Sequence, residues 1–282
     1  MKLRSVNNLV PATATSDGAG VKLNRTIGGP VLDNLDPFLL LDEFGSEEGA
    51  DYIGGFPDHP HRGFETVTYM LNGLMRHEDS TGAGGTLGPG SVQWMTAGRG
   101  IVHSEMPQQE EGLMRGFQLW VNLPAVDKMC APRYQNIEPA EIPEVEGADG
   151  VRIRVIAGEV DGTLGAVGGI AVEPTYLDIL LPPDTSHSQP VASGHAAFCY
   201  VFEGEVSIIA AEDGAATQVP HHTLAILSDG EGVRMRAGAE GGQALLIAGK
   251  PLGEPVVRYG PFVMNSREEI QQAIDDYRAG RF

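Results

Sequence analysis

Short strand-like runs, rich in apolar residues, fill most of the chain, and glycine or proline separates one run from the next. The runs are rich in β-branched and aromatic residues, which favour extended strands. The clearest of them occupy residues 64–71, 117–123, 151–156, 198–202 and 244–248. Because many short strands with regular turn signals are typical of layered or closed β-structures, the pattern predicts an all-β fold, either a sandwich or a barrel.

One segment near the end of the chain has helical rather than strand-like spacing. Ser266 lies three residues before Glu269, which is the spacing of a capping box. Apolar side chains then recur at helical intervals, at Ile270, Ile274 and Tyr277. Gly280 follows as a stop signal. The sequence therefore predicts a short C-terminal helix over residues 266–279.

Two turn motifs recur at a fixed distance along the chain. Residues 71–73 (Leu-Asn-Gly) end one strand run and residues 202–204 (Phe-Glu-Gly) end another, an offset of 131 residues, 202 minus 71. The same offset carries the turn at 87–90 onto the turn at 218–221, each of which precedes an apolar strand. An internal repeat of this kind predicts two similar β-domains in tandem.

The boundary between the two predicted domains falls in a stretch rich in proline and glutamate, residues 132–150. We place the first domain at residues 1–134 and the second at residues 135–282. The second domain is expected to include the C-terminal helix.

Composition and charge narrow the classes of function. The chain has 38 acidic residues against 19 lysines and arginines, and a net charge of -19 repels nucleic acid and anionic membranes. No apolar run approaches the roughly 20 residues of a membrane helix, and no secretion signal is recognised. Cys130 and Cys199 lie far apart and outside any zinc-binding spacing, which suits a reducing compartment. We expect a cytoplasmic protein that binds neither nucleic acid directly nor a membrane.

Two segments each carry a pair of side chains that can bind a metal. The first pair is His59 and His61, and the second is His103 and Glu105. Side chains two residues apart on a strand point to the same face, so each pair can serve one site. Three imidazoles and a carboxylate with open coordination positions favour non-haem iron over structural zinc. Hydrogen-bonded loop histidines are the alternative, which two such pairs make the weaker interpretation.

Glu65 is a second candidate for the carboxylate ligand. Pro60 holds His59 in an extended conformation, which keeps both imidazoles of the first segment on one side. Gly63 then allows a bulge, and one extra residue would turn Glu65 to the opposite face. Glu65 therefore ranks below Glu105.

The other histidines are weaker candidates. His77 is expected at a solvated strand end, with at most a supporting role beside the ligands. No functional metal is expected at the histidines of the second domain, which lie in turn-rich contexts: His187, His195, His221 and His222. The offset of 131 also places residues without suitable ligand groups at the five candidate positions: Pro190, Ala192, Ala196, Arg234 and Arg236. The metal is therefore predicted in the first domain alone.

Four large apolar side chains near these motifs are expected mainly in the core, and some of them also in contact with substrate. They are Trp94, Met95, Phe117 and Trp120. No phosphate-binding loop, nucleophile elbow or dinucleotide fingerprint occurs in the sequence.

Two long motifs, residues 56–67 and 93–107, resemble those of the pirin family. Shorter matches extend the resemblance over nearly the whole chain, at residues 119–123, 187–190 and 260–265. The resemblance implies an all-β protein of two tandem cupin, or jelly-roll-like, β-barrels followed by the C-terminal helix.

The resemblance also implies a ligand set. The metal ligands of the family correspond by motif to His59, His61, His103 and Glu105 in this chain. The implied metal is iron, Fe(II), held in the N-terminal domain and not in the C-terminal one. Other divalent transition metals can occupy imidazole-rich sites according to their availability.

Two functions of different classes follow from the resemblance. Several pirins are similar to quercetin 2,3-dioxygenases, or quercetinases, which implies an oxidoreductase that opens a flavonol-like aromatic substrate with O2 and uses Glu105 as the base. Others resemble regulators that bind partner proteins of transcription or metabolism, with the metal as a redox sensor. The sequence leaves both hypotheses open, and the oligomeric state with them.

Overall fold

Antiparallel strands make up most of the protein, as the strand-like runs predict. The computed structural model describes residues 1–210 and 215–282. The first twelve strands are β1 (Val6–Pro11), β2 (Thr13–Asp17), β3 (Val21–Ile27), β4 (Phe38–Ser46), β5 (Phe56–His61), β6 (Phe64–Asn72), β7 (Met75–Asp79), β8 (Gly84–Leu87), β9 (Val92–Thr96), β10 (Ile101–Pro107), β11 (Met114–Asn122) and β12 (Arg133–Ile137).

The remaining strands are β13 (Glu144–Glu146), β14 (Arg152–Ala157), β15 (Glu159–Val160), β16 (Thr163–Leu164), β17 (Thr175–Leu181), β18 (Ser186–Pro190), β19 (Ala196–Ile209), β20 (Ala216–Val219), β21 (Thr223–Leu227), β22 (Gly232–Gly249), β23 (Val257–Tyr259) and β24 (Phe262–Met264). Single 3-10 turns lie at Gly49–Asp51, Pro139–Glu141 and Ala148–Gly150, and the helix α1 spans Arg267–Arg278.

The chain divides into two compact units. The first unit comprises Thr13–Pro139 and Leu252–Phe282, and the second comprises Met1–Ala12 and Ala140–Pro251. The predicted division at residues 1–134 and 135–282 differs from this one at both termini. The first strand belongs with the later barrel, and the C-terminal segment with the earlier one.

Two antiparallel sheets form the first unit. The larger sheet has the strand order β12-β9-β6-β11-β4-β3-β2, and the smaller has the order β5-β10-β7-β8. Both sheets contribute to one buried cluster: Leu23, Phe44, Met70 and Met114 from the larger, Met75 and Leu87 from the smaller. Apolar faces of two sheets packed on each other give the jelly-roll-like arrangement that was predicted.

The second unit has the same layers, joined through two long strands. In β19, residues 198–201 pair with β21, whereas residues 206–209 pair with β20. The bend falls at Gly204, where φ is +60° and an added Cβ would lie 2.2 Å from the Gly241 carbonyl oxygen. Only glycine tolerates that conformation and that close approach.

The strand orders of the two units correspond. The order β9-β6-β11-β4-β3 in the first unit is matched by β21-β19-β22-β17-β14 in the second. The bounds of β9, Val92–Thr96, shifted by 131 residues, are those of β21, Thr223–Leu227. The structure therefore confirms the internal repeat of two similar β-domains.

Edge pairing explains why the first residues belong to the second unit. The strand β1 pairs with the edge strand β21, and β12 pairs with β9 in the corresponding place. Arg4 is fully buried and donates three hydrogen bonds to main-chain carbonyls of the second unit, those of His195 (2.9 Å), Ser228 (3.0 Å) and Ala192 (2.7 Å). An unpaired strand at the edge of a sheet would leave a row of polar backbone groups without partners. In the second unit β1 covers the edge at β21, and in the first unit β12 covers the edge at β9.

The C-terminal segment packs in the first unit. The capping box at Ser266 is present with both hydrogen bonds, so α1 begins where it was predicted. Asp276 of α1 forms an ion pair of 2.7 Å with the buried Arg62. Lys128, also buried, donates hydrogen bonds to the carbonyls of Gly63 (2.8 Å) and Val263 (3.0 Å). These contacts join the segment to the chain just after β5.

None of the described helices is long and apolar enough to span a bilayer.

Replacing Arg4 by methionine should lower the free energy of unfolding by about 3 kcal/mol, because three carbonyls would lose a charged donor. Urea denaturation followed by circular dichroism measures the change. Lys2→Met is the matched control, since it removes an exposed cation nearby and should change stability by less than about 0.5 kcal/mol. Equal effects of the two substitutions would contradict the role given to Arg4.

Burial lowers the pKa of Lys128 to about 8, from an ordinary value of 10.5. The unfolded chain therefore binds more protons than the folded protein between these two pH values, and Lys128 adds stability as pH rises through that window. The difference in unfolding free energy between the parent protein and Lys128→Met should grow by up to about 3 kcal/mol from pH 8 to 10.5. Denaturation curves across this range give the difference directly, and a constant or shrinking value would be incompatible with a depressed pKa.

Candidate metal centre

Pairing between β5 and β10 brings three imidazoles together. His103 lies opposite His59, and Ile101 lies opposite His61. The ring centroids of the three histidines are 4.4 to 4.9 Å apart, and one nitrogen from each lies within 4.8 Å of the others. The three predicted histidine ligands, His59, His61 and His103, therefore lie close together. Their spacing along two paired strands places them on one face.

A turn at Gly63 separates the ligand strand β5 from β6. Gly63 has φ of +88°, and an added Cβ would lie 2.0 Å from the Val263 carbonyl oxygen. The chain therefore leaves the smaller sheet directly after His61 and enters the larger one at Phe64. Any other residue at position 63 would strain this turn and shift the end of β5.

Two of the three imidazoles, those of His61 and His103, are buried in a setting that disfavours their charged form. Burial, reinforced by the neighbouring histidines, holds the pKa of His61 and of His103 well below the ordinary value. The ring nitrogens of His61 and Nε2 of His103 have no side-chain hydrogen-bond partner. Buried polar atoms are nearly always satisfied, so nitrogens without such partners that lie within 4.8 Å of one another fit the donor set of a metal ion.

Hydrogen bonds at the opposite nitrogens orient two of the rings. Nδ1 of His59 lies 2.8 Å from the Pro57 carbonyl oxygen and donates to it, which leaves Nε2 as an acceptor. Nδ1 of His103 lies 3.2 Å from Nδ1 of His77. When Nδ1 of His103 carries the proton, Nε2 has a lone pair that is available to a metal ion. His77 is buried, and the antiparallel pairing of β7 with β10 places it there, so its predicted position at a solvated strand end is wrong.

Glu105 lies near the three imidazoles, but its carboxylate is not part of the cluster that their nitrogens form. Its carboxylate accepts hydrogen bonds from Thr68 Oγ1 (2.9 Å) and from Gln118 Nε2 (3.2 Å). Only 3% of Glu105 is exposed. The sequence analysis missed Thr68 and Gln118. Both residues lie on strands of the larger sheet, whereas Glu105 lies in the smaller one, so only the fold brings them together.

Glu65 occupies a different place. It pairs with Thr96 in the larger sheet and accepts a hydrogen bond of 2.6 Å from the Thr96 hydroxyl. Burial raises the pKa of its carboxyl. Glu65 does not belong to the cluster of metal-competent groups or to the lining of the cavity.

A cavity of about 320 Å³ adjoins the histidines. Its walls are mainly apolar, with Leu23, Leu40, Phe44, Phe56 and Trp120 among the lining residues. Trp120 thus contributes to the cavity, whereas three other large side chains are fully buried: Trp94, Met95 and Phe117. A concave site with apolar walls and a few polar groups is typical of a small-molecule pocket.

Two histidines of the second unit have local hydrogen-bond partners instead. His187 lies 3.2 Å from the Gln189 side-chain oxygen, and His221 lies 2.7 Å from the Phe202 carbonyl oxygen. Within the described ranges, the cluster of His59, His61 and His103 is the one group that could hold a metal.

Sequence and structure comparisons give the relatives of this chain. The Pirin family profile matches residues 20–121, and the profile of the Pirin C-terminal cupin domain matches residues 176–282. A pirin-like protein of Caulobacter vibrioides is 51% identical over 289 positions that cover 100% of both chains. Pirin of Homo sapiens is 49% identical over 266 positions, which cover 93% of this chain and 88% of its own.

A solved structure extends the likeness to the fold. Quercetin 2,3-dioxygenase from Acinetobacter baumannii, at 36% identity, superposes with a TM-score of 0.89 and covers 99% of this chain and 98% of its own. Both β-units are therefore cupin domains, and the chain belongs to the pirin family.

Proposed function

We propose that this protein is a mononuclear non-haem iron dioxygenase that opens flavonol-like aromatic substrates with O2. The observation that carries the proposal is the convergence of three imidazoles, two of them buried in a setting that disfavours their charged form, beside a cavity with apolar walls. The likeness to quercetin 2,3-dioxygenase from Acinetobacter baumannii supports the substrate class.

The proposed ligands are His59, His61, His103 and Glu105. Such a donor set suits Fe(II) and also accepts other divalent transition metals. When bound, the metal would supply Lewis-acid activation and open coordination positions for substrate oxygen and O2.

Glu105 is the proposed general base. Its carboxylate lines the cavity, so it is placed to take the proton from a substrate hydroxyl. Thr68 and Gln118 each donate one hydrogen bond to it and fix its orientation. The protein thus holds an oriented carboxylate acceptor beside the imidazoles.

The apolar walls have a second role. Phe44, Phe56 and Trp120 offer flat apolar surfaces to an aromatic ring. At about 320 Å³, the cavity is near the lower end of the range for small-molecule sites. One flavonol-sized molecule is therefore the expected occupant.

Glu105→Gln should retain part of the metal and lower turnover by about 100-fold or more, because the amide keeps the shape but cannot accept the proton. Metal analysis and steady-state oxygen uptake separate the two effects. Glu65→Gln is the matched control, since it changes a buried carboxylate outside the cluster and should leave turnover close to that of the parent. Oxidation of quercetin by Glu105→Gln at the parental rate would refute the assignment of the base.

Oxygen uptake by the anaerobically reconstituted iron protein tests the activity itself. We expect uptake with at least one compound in a panel of flavonols and other enediols, and none with the metal-free protein. A fully iron-loaded protein that consumes no oxygen with any of them would favour the regulatory hypothesis, in which the metal senses redox state for a partner protein.

A further inference from the structure

Arg258 lines the cavity beside the histidines. It belongs to the C-terminal segment, Leu252–Phe282. It lies in β23, and its guanidinium carbon is 4.7 Å from the centroid of the Trp120 ring. Trp120 in turn contacts His61, with 5.3 Å between ring centroids. A cation is therefore stacked on the aromatic wall that adjoins the imidazoles.

Most of the donors on this guanidinium have no protein partner. Nε of Arg258 donates to the Gly260 carbonyl at 3.3 Å, and one terminal nitrogen donates to the Leu39 carbonyl, also at 3.3 Å. Both distances are long, and a guanidinium has five N–H donors. In the part of the chain that the structure describes, no carboxylate lies within 4.0 Å of Arg258.

The two aspartates of the cavity are paired with another arginine. Arg25 donates to both carboxylate oxygens of Asp42, at 2.8 and 2.7 Å, and to Asp17 at 2.8 Å. Two carboxylates with one guanidinium form a hydrogen-bonded network whose members already have partners. Asp17 and Asp42 line the same cavity as Arg258, yet their hydrogen bonds go to Arg25.

The guanidinium of Arg258 is partly buried, and this burial changes its pKa. Burial, together with the charge of Arg25, lowers the pKa of Arg258, although nearby aspartates oppose the shift. A guanidinium in this setting gains more from an anionic partner than one in water does, because less solvent screens the interaction.

We propose that Arg258 is the specificity-determining residue of the cavity and binds an anionic oxygen of a planar aromatic substrate. The substrate would then have two polar ends, one hydroxylated end facing the imidazoles and one acidic end at Arg258. This inference rests on the proposed function, from which it takes the site, and adds the charge of the ligand. A guanidinium matches the geometry of a carboxylate through two parallel hydrogen bonds.

Two probes that differ by a single carboxylate test the proposal. Catechol and 3,4-dihydroxybenzoate share the same vicinal hydroxyls, and only the second has an acidic group at the opposite end. Their dissociation constants are measured by calorimetry with the zinc-loaded protein, so that no turnover is required. We expect the parent to bind 3,4-dihydroxybenzoate about tenfold more tightly than catechol, since a charge-assisted hydrogen bond contributes that much or more.

Variants locate the source of the preference. Arg258→Gln should bind both probes equally, and Arg258→Lys should keep part of the preference because it retains the charge without the fork. Arg278→Gln, on the exposed face of α1, removes the same charge elsewhere and should behave as the parent.

Three results would overturn the proposal: equal affinities in the parent, a preference that survives in Arg258→Gln, or failure of both probes to bind. If the parent protein binds both probes equally but still consumes oxygen with flavonols, the anion site is refuted and the dioxygenase function is not. A preference without any oxygen uptake would instead refute the dioxygenase and retain the anion site.

Discussion

The pairing of β5 with β10 is the constraint on which the candidate site depends. It places His59 opposite His103 and carries His61 into the interior, so that the rings meet only if the register is kept. A slip of one residue would turn each side chain to the other face of the sheet. The buried ammonium of Lys128 holds the end of β5, because it donates to the carbonyls of both Gly63 and Val263, and the Val263 N–H in turn donates to the Arg62 carbonyl. The position of the ligands is thus coupled to the C-terminal segment.

Much of the fold was accessible from the sequence because the signals were local. Strand-like runs between turn residues identified the strands, a capping box identified α1, and one offset of 131 residues identified the repeat. The i, i+2 spacing of His59 with His61 predicted that their side chains would share one face, since strand geometry fixes the face that a side chain takes. That His103 joins them depends on the pairing of β5 with β10, which the resemblance to pirins implied and spacing alone did not.

The parts that the sequence analysis missed are all long-range. The N-terminal residues belong to the second unit and the C-terminal residues to the first. This assignment depends on contacts between residues far apart in sequence, such as those of Arg4 and Arg62, and no local motif predicts them. His77 was misplaced because its burial follows from the pairing of β7 with β10. Arg258 lies far along the chain from the histidines, and only the folded C-terminal segment brings it to their cavity.

The account rests on one claim, that the three imidazoles bind a single metal ion. Elemental analysis of protein loaded anaerobically with Fe(II) measures this directly, for the parent, for His103→Ala and for His187→Ala. We predict one iron per chain in the parent and in His187→Ala, and little or none in His103→Ala. Iron retained at one per chain in His103→Ala, or lost equally from His187→Ala, would contradict the account.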